Sequence, residues 1–288
     1  MIFSADIEDW QQSVWDFKRP ISRRVLVNTW QLLDILARYQ VKGTFFVQGM
    51  VSKAWPELIR EISAQGHELA SHAWSHRPLY ELEPEAFRTE LRRSVDSLQQ
   101  ISGQKVIGFR APTFSLQEYM LDWYCDALHE QGIRYDSSVM LAQVRKAYGF
   151  GNDRILEQLR QRGIESYPLS VAKVMGKSIP VMGGGYFRIF PYGLTKYLAR
   201  QLNPDNSIFY MHPYELDVRE YREIAKPDGI SLTYALHQFG GRRSMHSKLP
   251  RLLRDYHFTS FRQYYYPDKA KRAARTKPEI TGNGLCAA

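Results

Sequence analysis

The segment Gly66-His-Glu-Leu-Ala-Ser-His-Ala-Trp-Ser-His76 joins a short apolar run to two histidines. Residues 66–70 have the length and composition of a buried strand, and His72 and His76 follow it directly. Histidines four residues apart lie on one face of a helical turn and can share a metal ion. A single pair of this kind is more often structural than metal-binding. Whether this pair binds a metal therefore depends on which residues stand at the ends of the neighbouring strands.

Strand-like and helix-like segments alternate on both sides of this segment. Further strands are predicted at residues 2–5, 43–47, 106–109, 133–135, 165–169 and 207–211. About seven strand–helix units of this kind fit before residue 215, which predicts an α/β fold with parallel strands. We expect a distorted (β/α) barrel, in which the active groups gather at the carboxyl ends of the strands.

The alternation ends after Glu215, where prolines, paired glycines and basic residues become frequent. We therefore predict a barrel at residues 1–215, a short C-terminal extension packed on it at 216–267, and a flexible tail at 268–288. The basic cluster from Arg242 to Arg254 is predicted to be a solvated helix face. Within the extension, residues 258–266 are predicted to return as a final strand.

The composition limits the class of protein but does not identify its binding partners. The chain has 288 residues, of which 44% are hydrophobic and 24% are charged, as in globular proteins. A net charge of +9 is compatible with nucleic acid, an acidic polysaccharide or an anionic membrane surface, and selects none of them. The only cysteines, Cys125 and Cys286, exclude a disulfide framework and indicate a reducing compartment. The sequence shows no signal peptide and no transmembrane segment, so we expect a cytoplasmic protein, with the inner membrane face as an alternative.

Two other predicted strands end in groups that can bind a metal or transfer a proton. Asp6, Glu8 and Asp9 follow the first strand, and His212 closes a late one. Each group alone has a structural explanation, because acidic residues favour the first turn of a helix and a single histidine can be a core residue. Together with the histidine pair, at the same edge of one parallel sheet, they predict a metal site that leaves a position for water.

Residues 66–76 resemble the histidine motif of the NodB-type polysaccharide deacetylases (carbohydrate esterase family 4), and residues 108–112, Gly-Phe-Arg-Ala-Pro, resemble a second motif. The resemblance covers about residues 1–215. The region from residue 211 onward resembles the C-terminal extension of exopolysaccharide deacetylases encoded with exosortase systems. Membership would imply a distorted barrel, a divalent metal, usually zinc, and hydrolysis of N-acetyl groups on amino sugars of an exopolysaccharide or its precursor.

The resemblance also implies roles for individual residues. Both histidines of the motif would be metal ligands. Asp6 would be the catalytic base, and Arg110 the arginine that keeps this base ionised and oriented. His212 would be the general acid, oriented by Asp136.

The sequence departs from the family pattern at two places. Ile7 follows Asp6 where the commonest motif has a second aspartate, so the third metal ligand is Glu8 or Asp9. Strand alternation and the Asp-x-Asp spacing of some branches favour Glu8. The shorter side chain favours Asp9, which is our first choice. Thr113 stands where many members carry a tyrosine, which leaves the donor to the oxyanion open.

Several other functions are compatible with the same residues. They are a hydrolase of another non-peptide amide such as a cyclic ureide, a glycosidase that uses Asp6 and Asp9, and a noncatalytic barrel that binds glycan or nucleic acid. The expected partners are a polysaccharide or oligosaccharide substrate and an anionic membrane surface or the exopolysaccharide assembly machinery; nucleic acid is not expected. The glycine-rich residues 182–186 lack the lysine and hydroxyl of a phosphate loop, so we predict a flexible loop beside the sugar cleft.

Overall fold

The computed structural model describes residues 1–142, 153–203 and 207–266. Its main sheet has seven strands in the order β6-β5-β4-β3-β2-β1-β9, and all neighbouring pairs are parallel. These strands are β1 (Ile2–Ile7), β2 (Thr44–Val47), β3 (Glu68–Ser71), β4 (Gly108–Phe109), β5 (Tyr135–Asp136), β6 (Glu165–Ser166) and β9 (Ile208–Met211). The sheet curls into a half-barrel, which confirms the predicted α/β fold with seven parallel strands.

Two strands outside this sheet, β7 (Val171–Val174) and β8 (Lys177–Pro180), form an antiparallel hairpin. The sequence pattern did not indicate this hairpin. The predicted tail at 268–288, with Cys286, lies outside the described residues.

Eleven α-helices lie in the described part of the chain. They are α1 (Arg23–Arg38), α2 (Gly49–Ala54), α3 (Pro56–Ala64), α4 (Pro84–Ser102), α5 (Leu121–Glu130), α6 (Asp153–Gln161), α7 (Gly184–Ile189), α8 (Tyr192–Ala199), α9 (Leu232–Phe239), α10 (Arg242–Asp255) and α11 (Phe261–Tyr265). Prolines occupy the first position of α3 and α4, where a missing N–H costs nothing, and Ser22 caps α1. No helix in the described ranges combines the length and the apolar character that a bilayer crossing requires.

Side-chain alternation along the strands places the site on the inner face of the curl. Phe3, Ala5 and Ile7 of β1 point outward into the core beneath the helices. Ile2 points inward and packs with Phe46 of β2 in a second cluster that fills the curl. Asp6 lies four residues after Ile2 in the same strand, so its side chain also faces inward. The main chain of Asp6 pairs with that of Phe46 in β2.

The predicted strand at residues 258–266 is wrong, because this segment forms α11. Ser260 accepts a hydrogen bond from the Gln263 N–H and so caps a helix, which leaves only Thr259 to bridge to β1. Phe261 is fully buried inside the curl. The polar cap residue therefore decides the structure of this segment against its β-forming aromatic residues.

The basic cluster does form a helix, α10, but its cations are not all solvated. Arg242 is 2% exposed and its Nη1 lies 2.8 Å from Glu220 Oε2. The Lys248 ammonium donates to the carbonyl of Arg188 at 2.6 Å. Arg242 is paired with a buried anion and Lys248 is hydrogen-bonded to the main chain, so this helix is not simply a solvated face.

The division of the chain at residue 215 stays a prediction. An ion pair of 2.6 Å joins Arg24 of α1 to Asp217, directly after the predicted boundary.

Replacing Gly108 with alanine is expected to lower the free energy of unfolding by about 3 kcal/mol. A Cβ at this position would lie 2.1 Å from Cζ of Tyr135. That ring is fully buried, and its hydroxyl donates to Glu68 Oε1 at 3.0 Å, so it has no room to move. Urea unfolding curves measure the effect. Gly193→Ala is the matched control, because a Cβ there meets no heavy atom within 4 Å in α8; equal losses in the two variants would contradict the steric argument.

Candidate active site

A cleft of about 850 Å³ opens at the carboxyl ends of the strands. Its lining includes the predicted site residues Asp6, Glu8, His72, His76 and His212. Asp136 is not among them. Strand ends of one parallel sheet thus bring together residues that are far apart in the chain.

Glu8, His72 and His76 form a cluster whose ligand atoms lie within 4.8 Å of one another. His72 Nε2 lies 3.4 Å from Glu8 Oε2, and His76 Nε2 contacts the same oxygen. All three side chains are buried, and Glu8 Oε2 has no hydrogen-bond partner. An unsatisfied buried carboxylate oxygen facing two imidazole nitrogens is what a cation would stabilise, and this donor set suits zinc.

The other nitrogen of each imidazole is held by a main-chain carbonyl. His72 Nδ1 lies 2.8 Å from the carbonyl oxygen of Arg110, and His76 Nδ1 lies 3.1 Å from that of Ser13. A carbonyl can only accept, so these contacts assign the proton to Nδ1 in both rings. Nε2 is therefore the nitrogen of each ring that faces Glu8 and could bind a metal, with Nδ1 held as in the outer shell of a metal site.

The two histidines come together through a loop and not through the predicted helical turn. Residues 72–78 are irregular, and Ala73 and His76 have φ values of +57° and +65°. The loop is fixed from outside: Gly49 N–H donates to the Ala73 carbonyl at 2.9 Å, and Ser75 Oγ donates to Glu90 at 2.5 Å. Neighbouring elements thus hold strained backbone at this site.

The structure does not bring Asp9, our first choice for the third ligand, to the histidines. Its carboxylate accepts hydrogen bonds from the N–H groups of Gln11, at 3.1 Å, and Ser22. The chain turns after Glu8 into a π-helical turn at Gln11–Trp15, and the Asp9 carboxylate accepts from the N–H of its first residue. Burial raises the pKa of Asp9 despite these bonds. Glu8, the alternative, is the carboxylate in the cluster.

Glu8 is an anion in this surrounding. Burial alone would raise its pKa, but the nearby His76, His212 and His72 outweigh burial and hold the pKa well below its usual value.

Arg110 and Asp6 form a buried ion pair beside the cluster. Arg110 Nη1 lies 2.5 Å from Asp6 Oδ1, and the guanidinium is fully buried. Its other N–H groups donate to Ser4 Oγ at 3.1 Å and to Ser137 Oγ at 3.0 Å, and its plane lies 4.0 Å from the ring of Phe46. These contacts fix the arginine, and the arginine fixes one oxygen of Asp6. The other oxygen, Oδ2, is directed toward His212.

His212 stands opposite Asp6 across the site. Its Nε2 lies 3.9 Å from Asp6 Oδ2 and 3.6 Å from Glu8 Oε1. Burial lowers the pKa of His212, but the hydrogen bond to Glu215 and the charge of Glu8 outweigh burial, so the pKa is raised overall. A raised pKa favours the protonated ring, which is the form that a proton donor requires.

Asp136 does not orient His212, contrary to the implied role. Its carboxylate accepts from the Tyr124 hydroxyl at 2.5 Å, from the Ser138 N–H at 3.0 Å and from the Ser138 hydroxyl. The reason is strand order: Asp136 ends β5, and four strands separate β5 from β9, which ends before His212. The carboxylate at His212 is Glu215, whose Oε1 lies 3.4 Å from Nδ1. Its only sequence signal is the spacing of three residues, which a 3₁₀ turn at Pro213–Leu216 places on one side.

Thr113 lines the cleft in the left-handed conformation, with φ of +53°. Its hydroxyl is buried without a hydrogen-bond partner. This hydroxyl could therefore donate a hydrogen bond to a substrate oxygen.

Comparisons with known proteins agree with this geometry. Residues 25–135 match the family described as polysaccharide deacetylase, and residues 137–266 match a domain of unknown function, DUF3473. The first match identifies residues 25–135 as a polysaccharide deacetylase domain. The deacetylase match contains His72, His76 and Arg110, whereas His212 lies in the second match. The candidate site thus spans both.

Individual relatives resemble parts of this deacetylase domain. A chitooligosaccharide deacetylase of Rhizobium leguminosarum bv. trifolii is 37% identical over 70 residues, which are 24% of this chain and 33% of the relative. The peptidoglycan-N-acetylmuramic acid deacetylase PdaA of Bacillus subtilis (strain 168) is 33% identical over 92 residues, 32% of this chain and 35% of the relative. The aligned segments span about a third of the length of these curated relatives.

A solved structure shows the same fold over the full chain. The crystal structure of a Mycobacterium smegmatis protein assigned to the polysaccharide deacetylases superposes with a TM-score of 0.56 at 19% identity. The superposition covers 100% of this chain and 93% of that protein.

Proposed function

We propose that this protein is a metal-dependent hydrolase that removes N-acetyl groups from amino sugars of an exopolysaccharide or its precursor. The observation that carries the proposal is the Glu8–His72–His76 cluster with the buried Asp6 beside it and His212 opposite. A divalent ion held by these three ligands, most suitably zinc, would polarise the acetyl carbonyl and lower the pKa of a bound water.

The protein's own residues account for the proton transfers. Arg110 engages Asp6 Oδ1 and leaves Oδ2 to accept the proton of the attacking water. His212, on the far side of the same gap, donates a proton from Nε2 to the departing amine nitrogen. An amine leaves poorly unless it is protonated, so the acid and the base must both reach the reacting amide, and Asp6 Oδ2 and His212 Nε2 lie 3.9 Å apart in the same cleft.

The shape of the cleft supports a sugar substrate. Its volume of about 850 Å³ is in the range of ligand sites, and its walls carry the aromatic residues Phe17, Phe114, Tyr186, Tyr210, Tyr214 and Tyr234. Aromatic faces with polar groups between them suit the two faces of a pyranose ring. The relatives named above act on chitooligosaccharides and peptidoglycan, which supports an N-acetylated glycan here. A cytoplasmic location and contact with an anionic membrane surface or with assembly machinery stay predictions.

The geometry does not favour a glycosidase. The predicted pair is Asp6 and Asp9, but Asp9 does not line the cleft, and its carboxylate accepts hydrogen bonds from the N–H groups of Gln11 and Ser22. A cyclic ureide hydrolase would use the same metal ligands, so only substrate choice separates it from a deacetylase.

Acetate release from N-acetylglucosamine oligomers tests the proposal. The zinc-loaded protein is expected to release acetate, chelation to stop it, and His72→Ala to lower the rate about 100-fold, because one metal ligand is lost. His129→Ala is the matched control, since this exposed histidine is hydrogen-bonded to the Arg162 carbonyl and does not line the cleft. Equal rates for the wild type and His72→Ala would overturn the metal role, and turnover of allantoin without acetate release would favour the ureide hydrolase.

A further inference from the structure

A buried ion pair that the mechanism above does not use lies behind His212. Glu215 Oε1 is 3.4 Å from His212 Nδ1 and 3.7 Å from Arg188 Nε. Both residues line the cleft and are at least nine-tenths buried, at 2% and 6% exposure. Glu215 Oε2 and Arg188 Nε have no hydrogen-bond partner. Burying two charges with incomplete hydrogen bonding is costly, so the pair is better explained by a role at the site than by stability.

The glycine-rich segment at 182–186 explains how Arg188 reaches this place. A Cβ on Gly183 would lie 1.9 Å from the Tyr210 carbonyl oxygen, and its φ is +134°, so only glycine lets the chain pass this close to β9. The Tyr210 N–H donates to the Met182 carbonyl at 3.1 Å in the same contact. The segment does border the cleft as predicted, but from Gly184 onward it is the helix α7 and not a loop. It fixes α7, and so Arg188, against the strand that delivers His212.

The far end of the Arg188 side chain is anchored on α9. Its Nη1 donates to the Gln238 carbonyl at 2.5 Å and its Nη2 donates to the His237 carbonyl at 3.1 Å. With both terminal nitrogens engaged, Nε is the part of the guanidinium that faces Glu215. The arginine is therefore rigid and compensates the Glu215 charge from a set position.

His212 is held from two directions. Glu215 accepts the Nδ1 proton, which turns Nε2 toward Asp6 and Glu8. The ring of Tyr214 stacks on the imidazole with 4.7 Å between centroids and an interplanar angle of 11°, which prevents the imidazole from tilting. The distance to Glu215 is long for a hydrogen bond, as is common at catalytic sites without substrate.

We propose that Glu215, held in place by Arg188, is the positioning residue that aims the proton-donating imidazole of His212 at the leaving amine. The inference rests on the proposed function. It also gives a role in the chemistry to the region of unknown function, because His212, Glu215 and Arg188 all lie within residues 137–266.

Two substrates separate this role from a purely structural one. An amine must be protonated to leave, whereas the 4-nitrophenolate of 4-nitrophenyl acetate leaves without a proton. Glu215→Ala is expected to lower kcat on N-acetylglucosamine oligomers about 100-fold with KM within about twofold, and to change ester hydrolysis less than about threefold. Glu215→Gln keeps an oxygen for the Nδ1 proton and is expected to lose only about tenfold on the amide, as is Arg188→Met.

Glu223→Ala is the control variant. It removes an exposed carboxylate that pairs with Arg24 and should leave the rates of amide and ester hydrolysis unchanged. Equal losses of Glu215→Ala on amide and ester, or loss of bound zinc, would show that Glu215 is only structural.

A measurement that requires no turnover tests the positioning role of Glu215 independently of the proposed deacetylation. Two-bond ¹H–¹⁵N spectra of the full chain report which imidazole nitrogen carries the proton, and His212→Gln assigns the signal. The neutral ring of His212 is expected to be protonated on Nδ1 in the wild type and to shift toward the Nε2-protonated form in Glu215→Ala. An unchanged spectrum overturns the positioning role. If the spectrum changes and the wild type releases no acetate, the positioning role stands and the proposed deacetylation fails.

Discussion

Glu8→Gln is expected to weaken zinc binding about 1000-fold, whereas Asp9→Asn should leave the affinity within about threefold. Glu8 is the only anion among the three clustered ligands, so its neutralisation removes both a bond and the charge that balances the cation. The loss should therefore exceed the roughly 10–100-fold that follows from removing an outer-shell partner. Asp9 lies one residue further along the chain, and its carboxylate is hydrogen-bonded to Gln11 and Ser22 rather than directed at the histidines.

Competition with a chromophoric chelator measures both affinities, and thermal unfolding with and without zinc provides a second reading. Asp9→Asn should lower the free energy of unfolding by about 1 kcal/mol, because a neutral amide replaces the carboxylate that accepts from the Gln11 and Ser22 N–H groups. Glu8→Gln should remove most of the stabilisation that zinc confers. The reverse pattern, zinc lost from Asp9→Asn and kept by Glu8→Gln, would restore Asp9 as the ligand.

The choice between these two carboxylates shows where the sequence is informative. Strand alternation places Asp6 and Glu8 on one face, and the structure follows that rule because β1 continues through Ile7. The argument for Asp9 required the chain to turn immediately and deliver a short side chain into the cleft. The chain does turn, but the main-chain N–H groups exposed by the turn bind the Asp9 carboxylate. Where a strand ends, and which donors the next turn exposes, are not local properties of the sequence.

The order of the strands explains why the role implied for Asp136 is wrong. Residue spacing predicts that His212 and Asp136 both end strands of one sheet, and this is correct. It does not say which strands are neighbours, and four strands lie between β5 and β9. The partner of His212 is instead a local one, Glu215. Its recognition requires the turn geometry that follows Pro213.

The fold itself was predictable because its signals are repeated along the chain. Each βα unit has its own apolar strand and amphipathic helix, and several helices begin at a proline or serine that the sequence displays. The C-terminal region lacks this repetition. There Arg242 is buried against Glu220, which lies 22 residues earlier in the chain, and no local sequence signal indicates that pairing.

Asp6→Asn is expected to lower kcat for acetate release by about 10³- to 10⁴-fold with bound zinc unchanged. An amide cannot accept the proton of the attacking water, and no other described carboxylate pairs with Arg110 at this place. Arg110→Met should lower kcat by about 100-fold, since it leaves the base present but unoriented. Because both residues act through one proton transfer, the double variant should be no slower than Asp6→Asn alone.

Folding must be separated from catalysis in this test, because Asp6→Asn leaves the Arg110 charge buried without its partner. The melting temperature and zinc content of each variant make that separation, and Asp34→Asn on the exposed side of α1 is the matched control. In the double variant the unpaired charge is gone, so its stability should exceed that of Asp6→Asn while its rate stays as low. A rate that recovers together with stability would mean that Asp6 serves only to neutralise Arg110. A rate that stays low in the stable double variant identifies Asp6 as the base.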